Sequence, residues 1–219
     1  MSKKTDSNLG RREQMRAERR RSKLAWNVIL LGTVGVVVLL IAWYVLATAR
    51  PGTLPGEVTV PDEGRAHVRA LNQDGSPSGT RVTFQTYPPT SGTHYGDLVA
   101  PWGVYTPAQP IQPPFPADTP YDLEGIFVHN LEHGGVVFLY ACADNCAELE
   151  QQFRGLYAKA GPPAGCADPK ILVTPYTRDL PAPIVALAWD HRLNVAAFDE
   201  GLLLRWYQRF VDRGPEKAC

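Results

Sequence analysis

Three of the five histidines in this 219-residue chain lie in two short segments that indicate a metal site. Residues 88–95 read PPTSGTHY and contain His94, and residues 129–135 read HNLEHGG and contain His129 and His133. Imidazole is a common metal ligand and is neutral near pH 7, so a histidine cluster binds a cation without first losing protons. We therefore predict His94, His129 and His133 to be metal ligands.

The spacing within HNLEHGG favours a shared site. His129 and His133 are four residues apart, so a helical turn would project both rings from one face. Glu132 is predicted to orient an imidazole from the shell behind the ligands. Tyr95, next to His94, is predicted to pack or hydrogen-bond beside the site.

Two histidines lie outside these segments. His67, in a strand-like segment, is either a fourth ligand or a buried core histidine, and the sequence leaves both interpretations open. His191, within WDHRL, is predicted to lie in a surface turn and to stay outside the site.

Several metals suit this ligand set, because imidazole binds copper, zinc, iron and nickel alike. An all-histidine site outside the cytoplasm favours Cu(II) or zinc. The chain has only two methionines, Met1 and Met15. Both precede the long apolar segment at 24–49, which excludes a methionine-rich Cu(I) carrier.

The string HNLEH also matches H-x-x-E-H, the signature of inverted zinc proteases. In those enzymes the histidines bind zinc and the glutamate activates water. The signature requires a helix of several turns. Here residues 126–128 read IFV and residues 134–137 read GGVV. We interpret these as strands that flank at most one helical turn, which disfavours such a protease.

The first 49 residues predict a membrane anchor. Residues 1–23 hold nine Lys or Arg and three acidic residues, and residues 24–49 hold no charge. An apolar run of this length spans a bilayer, which requires roughly 20 residues. The basic tail before this run predicts that the N-terminus is cytoplasmic and that the rest of the chain after the run lies outside. The tail has no aromatic residues between its charges, so it is not predicted to bind nucleic acid. A signal peptide cleaved after ATA at 47–49 is the alternative, disfavoured by the long apolar run.

All four cysteines follow the predicted anchor, on the side of the membrane where disulfides persist. They are Cys142, Cys146, Cys166 and Cys219. Two bridges in three connectivities are open. Metal ligation by Cys142 and Cys146 is a second interpretation. A redox pair is the least favoured, because the two-residue spacing of thioredoxin-type motifs is missing.

Residues 50–62 read as a linker, and residues 63–219 as one extracytoplasmic α+β domain with a small mixed or antiparallel sheet and two main helices. Strands are predicted at 67–70, 81–86, 126–128, 136–140, 171–174 and 184–189. Helices are predicted at 146–160 and 199–213, with Asn145 and Asp199 as caps. Seven prolines between positions 101 and 120 predict an extended surface loop.

The strings PPTSGTHY and VHNLEHGGVV, with GVY at 103–105 between them, resemble the bacterial DUF3105 family from about residue 67 to residue 152. The resemblance implies an N-terminal membrane segment followed by one outer domain. Thr93 stands where the family would place a proline. The resemblance also implies that four histidines belong to the family pattern: His67, His94, His129 and His133. Because the family has no assigned function, it implies no activity.

Together these features predict a membrane-anchored, extracytoplasmic protein that binds copper or zinc for metal handling or as a structural centre. One alternative is a metal-dependent hydrolase or oxidase that uses the same histidines with Glu132. Another is a non-catalytic envelope interaction domain. The predicted partners are the membrane and the metal ion, and the sequence specifies no protein partner.

Overall fold

The computed structural model describes residues 30–41, 43, 53–114, 119–142 and 146–219. Contacts within the chain define two units, residues 1–52 and residues 53–219. In the first unit, residues 30–41 form a helix, α1. Among the described residues, no helix has both the length and the apolar character needed to cross a membrane. Much of the predicted anchor at 24–49 lies outside the described residues, so the anchor stays a prediction.

Residues 53–219 form an α+β unit built on a mixed sheet, as predicted. The strands are, in chain order, β1 (Glu57–Thr59), β2 (His67–Val68), β3 (His94–Tyr95), β4 (Gly103–Val104), β5 (Val136–Tyr140), β6 (Ile171–Pro175), β7 (Ile184–Ala188) and β8 (His191–Val195). Six of them form one sheet in the order β1-β8-β7-β5-β6-β4. The β4, β6 and β5 strands run parallel to one another, and the other pairs are antiparallel. The β2 and β3 strands form a separate parallel pair.

Three helices accompany the sheets, where two main helices were predicted. They are α2 (Leu123–Glu132), α3 (Cys146–Ala160) and α4 (Glu200–Phe210). The α3 and α4 helices confirm the predicted ones. Asp199 caps α4, because its carboxylate accepts a hydrogen bond from the Leu202 N–H at 2.9 Å. Asn145, the other predicted cap, lies outside the described residues.

The prediction of a strand at 126–128 is wrong, because these residues form the middle of α2. Residues 124–132 are all buried. A helix buried on every side has no polar face, so its apolar pattern cannot be distinguished from that of a buried strand. The histidine motif therefore lies at the end of a ten-residue helix. The prediction that it occupies at most one turn is also wrong.

Two glycines end α2 and turn the chain into β5. Gly134 has φ +74°, a left-handed conformation that glycine adopts without steric cost. The Gly134 N–H bonds to the Leu131 carbonyl, and the Gly135 N–H bonds to the Asn130 carbonyl. This pair of bonds is a Schellman motif. It leaves His133 as the C-cap residue of the helix.

The core lies on both faces of the sheet, and the central strand β5 contributes to each. Val137 and Leu139 belong to the cluster that includes α2. Phe138 and Tyr140 alternate with them and belong to the cluster that includes α3 and α4. The sheet thus supports α2 on one face, while β3 contacts the same helix.

Four further segments differ from prediction. Residues 81–86 contain no strand. Residues 57–59, within the predicted linker, form β1 and pair with β8 at the sheet edge. His191 begins β8 and lies half-buried, so it is not in a surface turn. In the proline-rich stretch, residues 103–104 form β4.

Candidate metal centre

The strand pair β2–β3 brings two histidines together. In its parallel register His67 lies opposite His94, and Val68 lies opposite Tyr95. Residues paired in register project to the same face of a sheet, and the next residue along projects to the other. The two imidazole ring centres are 4.6 Å apart.

Glu132, the last residue of α2, completes the group. Its carboxylate is fully buried, and its Oε2 lies 2.8 Å from His67 Nε2 and 2.9 Å from His94 Nε2. Ligands held about 2.0–2.2 Å from one tetrahedral zinc ion lie roughly 3.3–3.6 Å from one another. The ligand atoms of the three residues lie within 4.8 Å of one another, so this group could hold a metal ion.

The protonation of His94 leaves a lone pair directed at the carboxylate. Its Nδ1 lies 2.8 Å from the Gly92 carbonyl oxygen, which can only accept, so Nδ1 carries the proton. In the neutral ring Nε2 is then unprotonated and faces an oxygen of Glu132 that also carries lone pairs. A cation bound by both atoms removes this repulsion. A ligating histidine typically donates its other N–H to a carbonyl in this way.

His129 borders the group and is oriented in the same manner. Its Nδ1 lies 2.8 Å from the Leu98 carbonyl oxygen, so Nδ1 carries the proton and Nε2 is the nitrogen that could bind a metal. Its ring centre is 5.4 Å from that of His94 and 5.7 Å from that of His67. His129 is therefore placed as a neighbour of the three-residue group.

His133 lies on the far side of His129. Their ring centres are 4.4 Å apart, and His133 Nε2 lies 3.6 Å from a carboxylate oxygen of Glu216. The His133 carbonyl accepts a hydrogen bond from Lys170 Nζ at 2.7 Å. Of the four predicted histidine ligands, His133 is thus the one turned toward the C-terminal segment, and its ligand role stays a prediction.

Tyr95 projects from the other face of β3. Its hydroxyl donates to the Thr80 carbonyl at 2.9 Å and lies 3.3 Å from an Asp122 carboxylate oxygen. These contacts belong to the opposite end of α2 from Glu132. The predicted role of Tyr95 beside the metal ligands stays a prediction.

The electrostatics favour the protonation states that ligands require. Burial lowers the pKa of His94, although hydrogen bonding and Glu132 act in the other direction. Burial by itself would raise the pKa of Glu132, but the hydrogen bond with His67 is the first of the interactions that outweigh it and lower that pKa. Near pH 7 the site thus contains a neutral imidazole beside a charged carboxylate.

Small contacts hold these side chains in position. A Cβ on Gly96 would lie 2.8 Å from Cγ of the His67 ring, so only glycine leaves the ring this space. The Asn130 side chain donates to the Ala100 carbonyl at 2.8 Å and accepts from the Ala100 N–H at 3.0 Å. This pair of bonds attaches the loop that carries Leu98, the residue that orients His129.

Sequence reasoning assigned Glu132 to the shell behind the ligands, whereas the geometry puts its carboxylate among the candidate ligand atoms. One signal could have indicated this. His129 and Glu132 are three residues apart, a spacing that places both on one face of a helix. The signal was missed because residues 126–128 read as a strand.

Comparison with known proteins identifies the family. A family model described as protein of unknown function (DUF3105) matches residues 76–219, more than half of the chain. The match includes His94, His129 and Glu132, and His67 precedes it. Searches of curated proteins and of solved structures each found no match. The chain therefore belongs to the DUF3105 family, as its histidine motifs predicted.

Proposed function

We propose that this protein binds one divalent transition-metal ion through His67, His94 and Glu132, with His129 as a fourth ligand. The surroundings of Glu132 are the observation that supports the proposal most. Its Oε2 faces two imidazole nitrogens, and its Oε1 is buried without a hydrogen-bond partner among the described residues. A buried carboxylate without a matching cation or full hydrogen bonding costs several kcal/mol. A bound cation would balance this charge and coordinate the carboxylate oxygen.

The proposed metal is zinc or Cu(II). Imidazole nitrogens with one carboxylate oxygen are ligands for zinc, and imidazole also suits copper. Two histidines and one carboxylate are in addition the ligand set of many Fe(II) sites, so iron belongs in the test. The four cysteines are paired as Cys142–Cys146 and Cys166–Cys219, so no thiolate favours Cu(I).

The proposed setting is the outer face of the cell membrane. The basic tail and apolar run of residues 1–49 support it, and so do the two disulfides, which persist in oxidising compartments. In that setting the protein would handle metal or use it as a structural centre.

Metal-dependent hydrolysis or oxidation is a second candidate function. The His67 side chain is 44% exposed, whereas those of His94 and Glu132 are buried. The group is therefore reached by solvent from the His67 side. Catalytic metal sites require such an open side, and closed structural sites do not have one.

Metal analysis of the purified full-length chain, prepared without a histidine tag, tests the proposal. After treatment with a chelator, the protein is dialysed separately against zinc, copper, Fe(II) and nickel, and bound metal is measured. We expect one ion per chain for the parent. We expect almost none for His94→Gln or Glu132→Gln. His191→Gln is the matched control, because it changes a half-buried histidine outside the group, and it should retain the full stoichiometry.

A parent protein that takes up no metal would contradict the proposal and favour an interaction domain with structural histidines. Equal stoichiometry in all variants would show that the ligands lie elsewhere. Ester or peptide turnover by the metal-loaded parent, lost in His94→Gln, would favour the hydrolase.

A further inference from the structure

The two disulfides differ in how much of the fold they hold. Cys166–Cys219 joins residues with a sequence separation of 53 and attaches the C-terminal residue to the loop before β6. Cys142–Cys146 joins residues with a separation of 4. Because stabilisation by a disulfide rises with the length of chain it closes, Cys142–Cys146 constrains the fold much less.

The position of Cys142–Cys146 in the topology favours a chemical role. Cys142 follows β5, and Cys146 is the first residue of α3. This helix connects β5 to its parallel neighbour β6. Thioredoxin-type cysteine pairs are associated with such a βαβ unit, and a helix N-terminus stabilises a thiolate. The spacing in the sequence argued against a redox pair, whereas the position in the fold argues for one.

Both cysteines line a cavity of about 680 Å³. It includes Tyr140 and Pro175, the last residues of β5 and β6, so it lies at the carboxyl ends of two parallel strands. Open α/β sheets bind ligands at this edge. The volume falls within the roughly 300–1,000 Å³ of typical ligand pockets. Cys142 and Cys146 are each partly exposed.

The wall of the cavity indicates the class of substrate. Much of it is aromatic or aliphatic, with these side chains: Pro107, Pro110, Ile111, Tyr121, Leu123 and Tyr176. Its two arginines already pair with carboxylates, Arg81 with Asp122 and Arg178 with Glu124. A wall of this kind suits an apolar peptide segment better than a small, charged thiol.

We propose that Cys142–Cys146 is a redox-active disulfide that oxidises pairs of cysteine thiols in a polypeptide bound in this cavity. A substrate thiolate attacks Sγ of Cys142. The bond between the two protein sulfurs breaks, a mixed disulfide forms on Cys142, and Cys146 leaves as a thiolate at the N-terminus of α3.

The second substrate thiolate then attacks the substrate sulfur of the mixed disulfide, and Cys142 leaves as a thiolate. The substrate gains a disulfide and gives up two electrons and two protons. The protein bridge takes up both electrons, and the protons complete its two thiols. This activity does not depend on the histidine group.

The test uses the oxidised full-length chain and a synthetic apolar peptide with two reduced cysteines. Peptide disulfide is measured by mass spectrometry, and alkylation followed by peptide mapping shows which protein bridge has opened. We expect one peptide disulfide per opened Cys142–Cys146, with Cys166–Cys219 intact. The double variant C166S/C219S should retain the reaction, and C142S/C146S should lose it. When the same peptide is supplied in its disulfide form, the free thiolate in Cys146→Ser attacks it, and this variant should trap the peptide on Cys142 at least tenfold more than Cys142→Ser traps it on Cys146.

A second measurement on the parent protein requires no variant to fold. Both bridges are titrated in buffers that contain reduced and oxidised glutathione in graded ratios. We expect the equilibrium constant for reduction by glutathione to be at least tenfold larger for Cys142–Cys146 than for Cys166–Cys219. This difference corresponds to a reduction potential about 30 mV higher. Equal resistance of both bridges, or earlier opening of Cys166–Cys219, would overturn the proposal.

Discussion

The two ends of α2 each bury a carboxylate, and the two carboxylates have different surroundings. Asp122, at the N-terminal end, is held by both Nε and an Nη of Arg81 and by the Val82 N–H. Glu132, at the C-terminal end, faces two imidazole nitrogens with one oxygen and has no hydrogen-bond partner for the other among the described residues.

This difference distinguishes a carboxylate that the chain satisfies from one that the described residues leave partly unsatisfied. Burial by itself would raise the pKa of Asp122, but the Arg81 and Val82 hydrogen bonds outweigh it and lower that pKa. Asp122 thus needs nothing beyond the chain, because a bidentate guanidinium matches its charge. Among the residues that the structure describes, no guanidinium or ammonium group pairs with Glu132. The Glu132 oxygen that the described residues leave unsatisfied supports the cation proposed above.

The largest effect is expected for Glu132→Gln, as a loss of metal affinity. Removing an outer hydrogen-bond partner of a metal site costs roughly 10–100-fold in affinity, so removing a charged ligand should cost more than about 100-fold. Without metal, the new amide can donate to His94 Nε2 and removes a buried charge that lacks a cation, so the free energy of unfolding should be no lower than that of the parent. Competition titration with a metal-binding dye and denaturant unfolding measure the two quantities.

Glu216→Gln is the matched control for that experiment. Glu216 lies 3.6 Å from His133 at the edge of the same region, with a half-exposed side chain. It should bind metal like the parent. If both substitutions weaken metal affinity equally, the loss of negative charge near the site explains the effect. Glu132 would then not be a ligand.

The opposite outcome is expected for Asp122→Asn, which should lower stability and leave metal stoichiometry unchanged. Hydrogen bonds to a charged group contribute about 1.5–3 kcal/mol. The Arg81 side chain is 52% exposed, so its charge attraction adds little. We expect a loss of about 2 kcal/mol in urea unfolding. Loss of metal from this variant, with the fold intact, would abolish the distinction between the two ends.

Acidification of the metal-free protein should affect the Glu132 end first. Burial lowers the pKa of His94 below its usual 6.5, so the unfolded chain takes up this proton more readily and stability falls as pH drops below about 6.5. The lowered pKa of Asp122 removes its contribution only below about 3.8. In a plot of unfolding free energy against pH, His94→Gln should reduce the slope just below pH 6.5. Asp122→Asn should reduce the slope below about pH 3.8. If both substitutions changed the profile over the same pH range, the prediction would be wrong.

The smallest effect is expected for Tyr95→Phe. Its hydroxyl bonds to the Thr80 carbonyl and approaches Asp122, so Tyr95 belongs to the Asp122 end although it follows His94 in the chain. Loss of one such bond costs about 1 kcal/mol. Metal affinity should stay at the parent value. Weaker metal binding would instead support the role beside the ligands that the sequence predicted for Tyr95.

Local patterns in the sequence determined much of the fold. The apolar spacing of residues 146–160 and 199–213 predicted α3 and α4, and Asp199 marked the start of the latter. Short apolar runs predicted β5, β6 and β7. The glycines after His133 predicted the end of a turn. These features depend on residues a few positions apart, so the chain specifies them without knowledge of the rest of the molecule.

The sequence also predicted candidate residues for a metal site. Type and spacing predicted His94, His129 and His133 as ligands with Glu132 behind them, and left His67 open between a fourth ligand and a core histidine. The roles of individual residues were not fixed in this way, because a role depends on which atoms meet in space. Glu132 was predicted to act from behind the ligands, and its carboxylate lies among the candidate ligand atoms instead.

Tertiary structure alone decided the helical state of α2, the register that sets His67 opposite His94, and the pairing of the four cysteines. Each depends on segments far apart in the chain. The α2 helix is buried on every side, so it carries no amphipathic pattern for the sequence to display. Strand register is set by the packing of whole faces, and a shift of one residue would turn His94 away from Glu132.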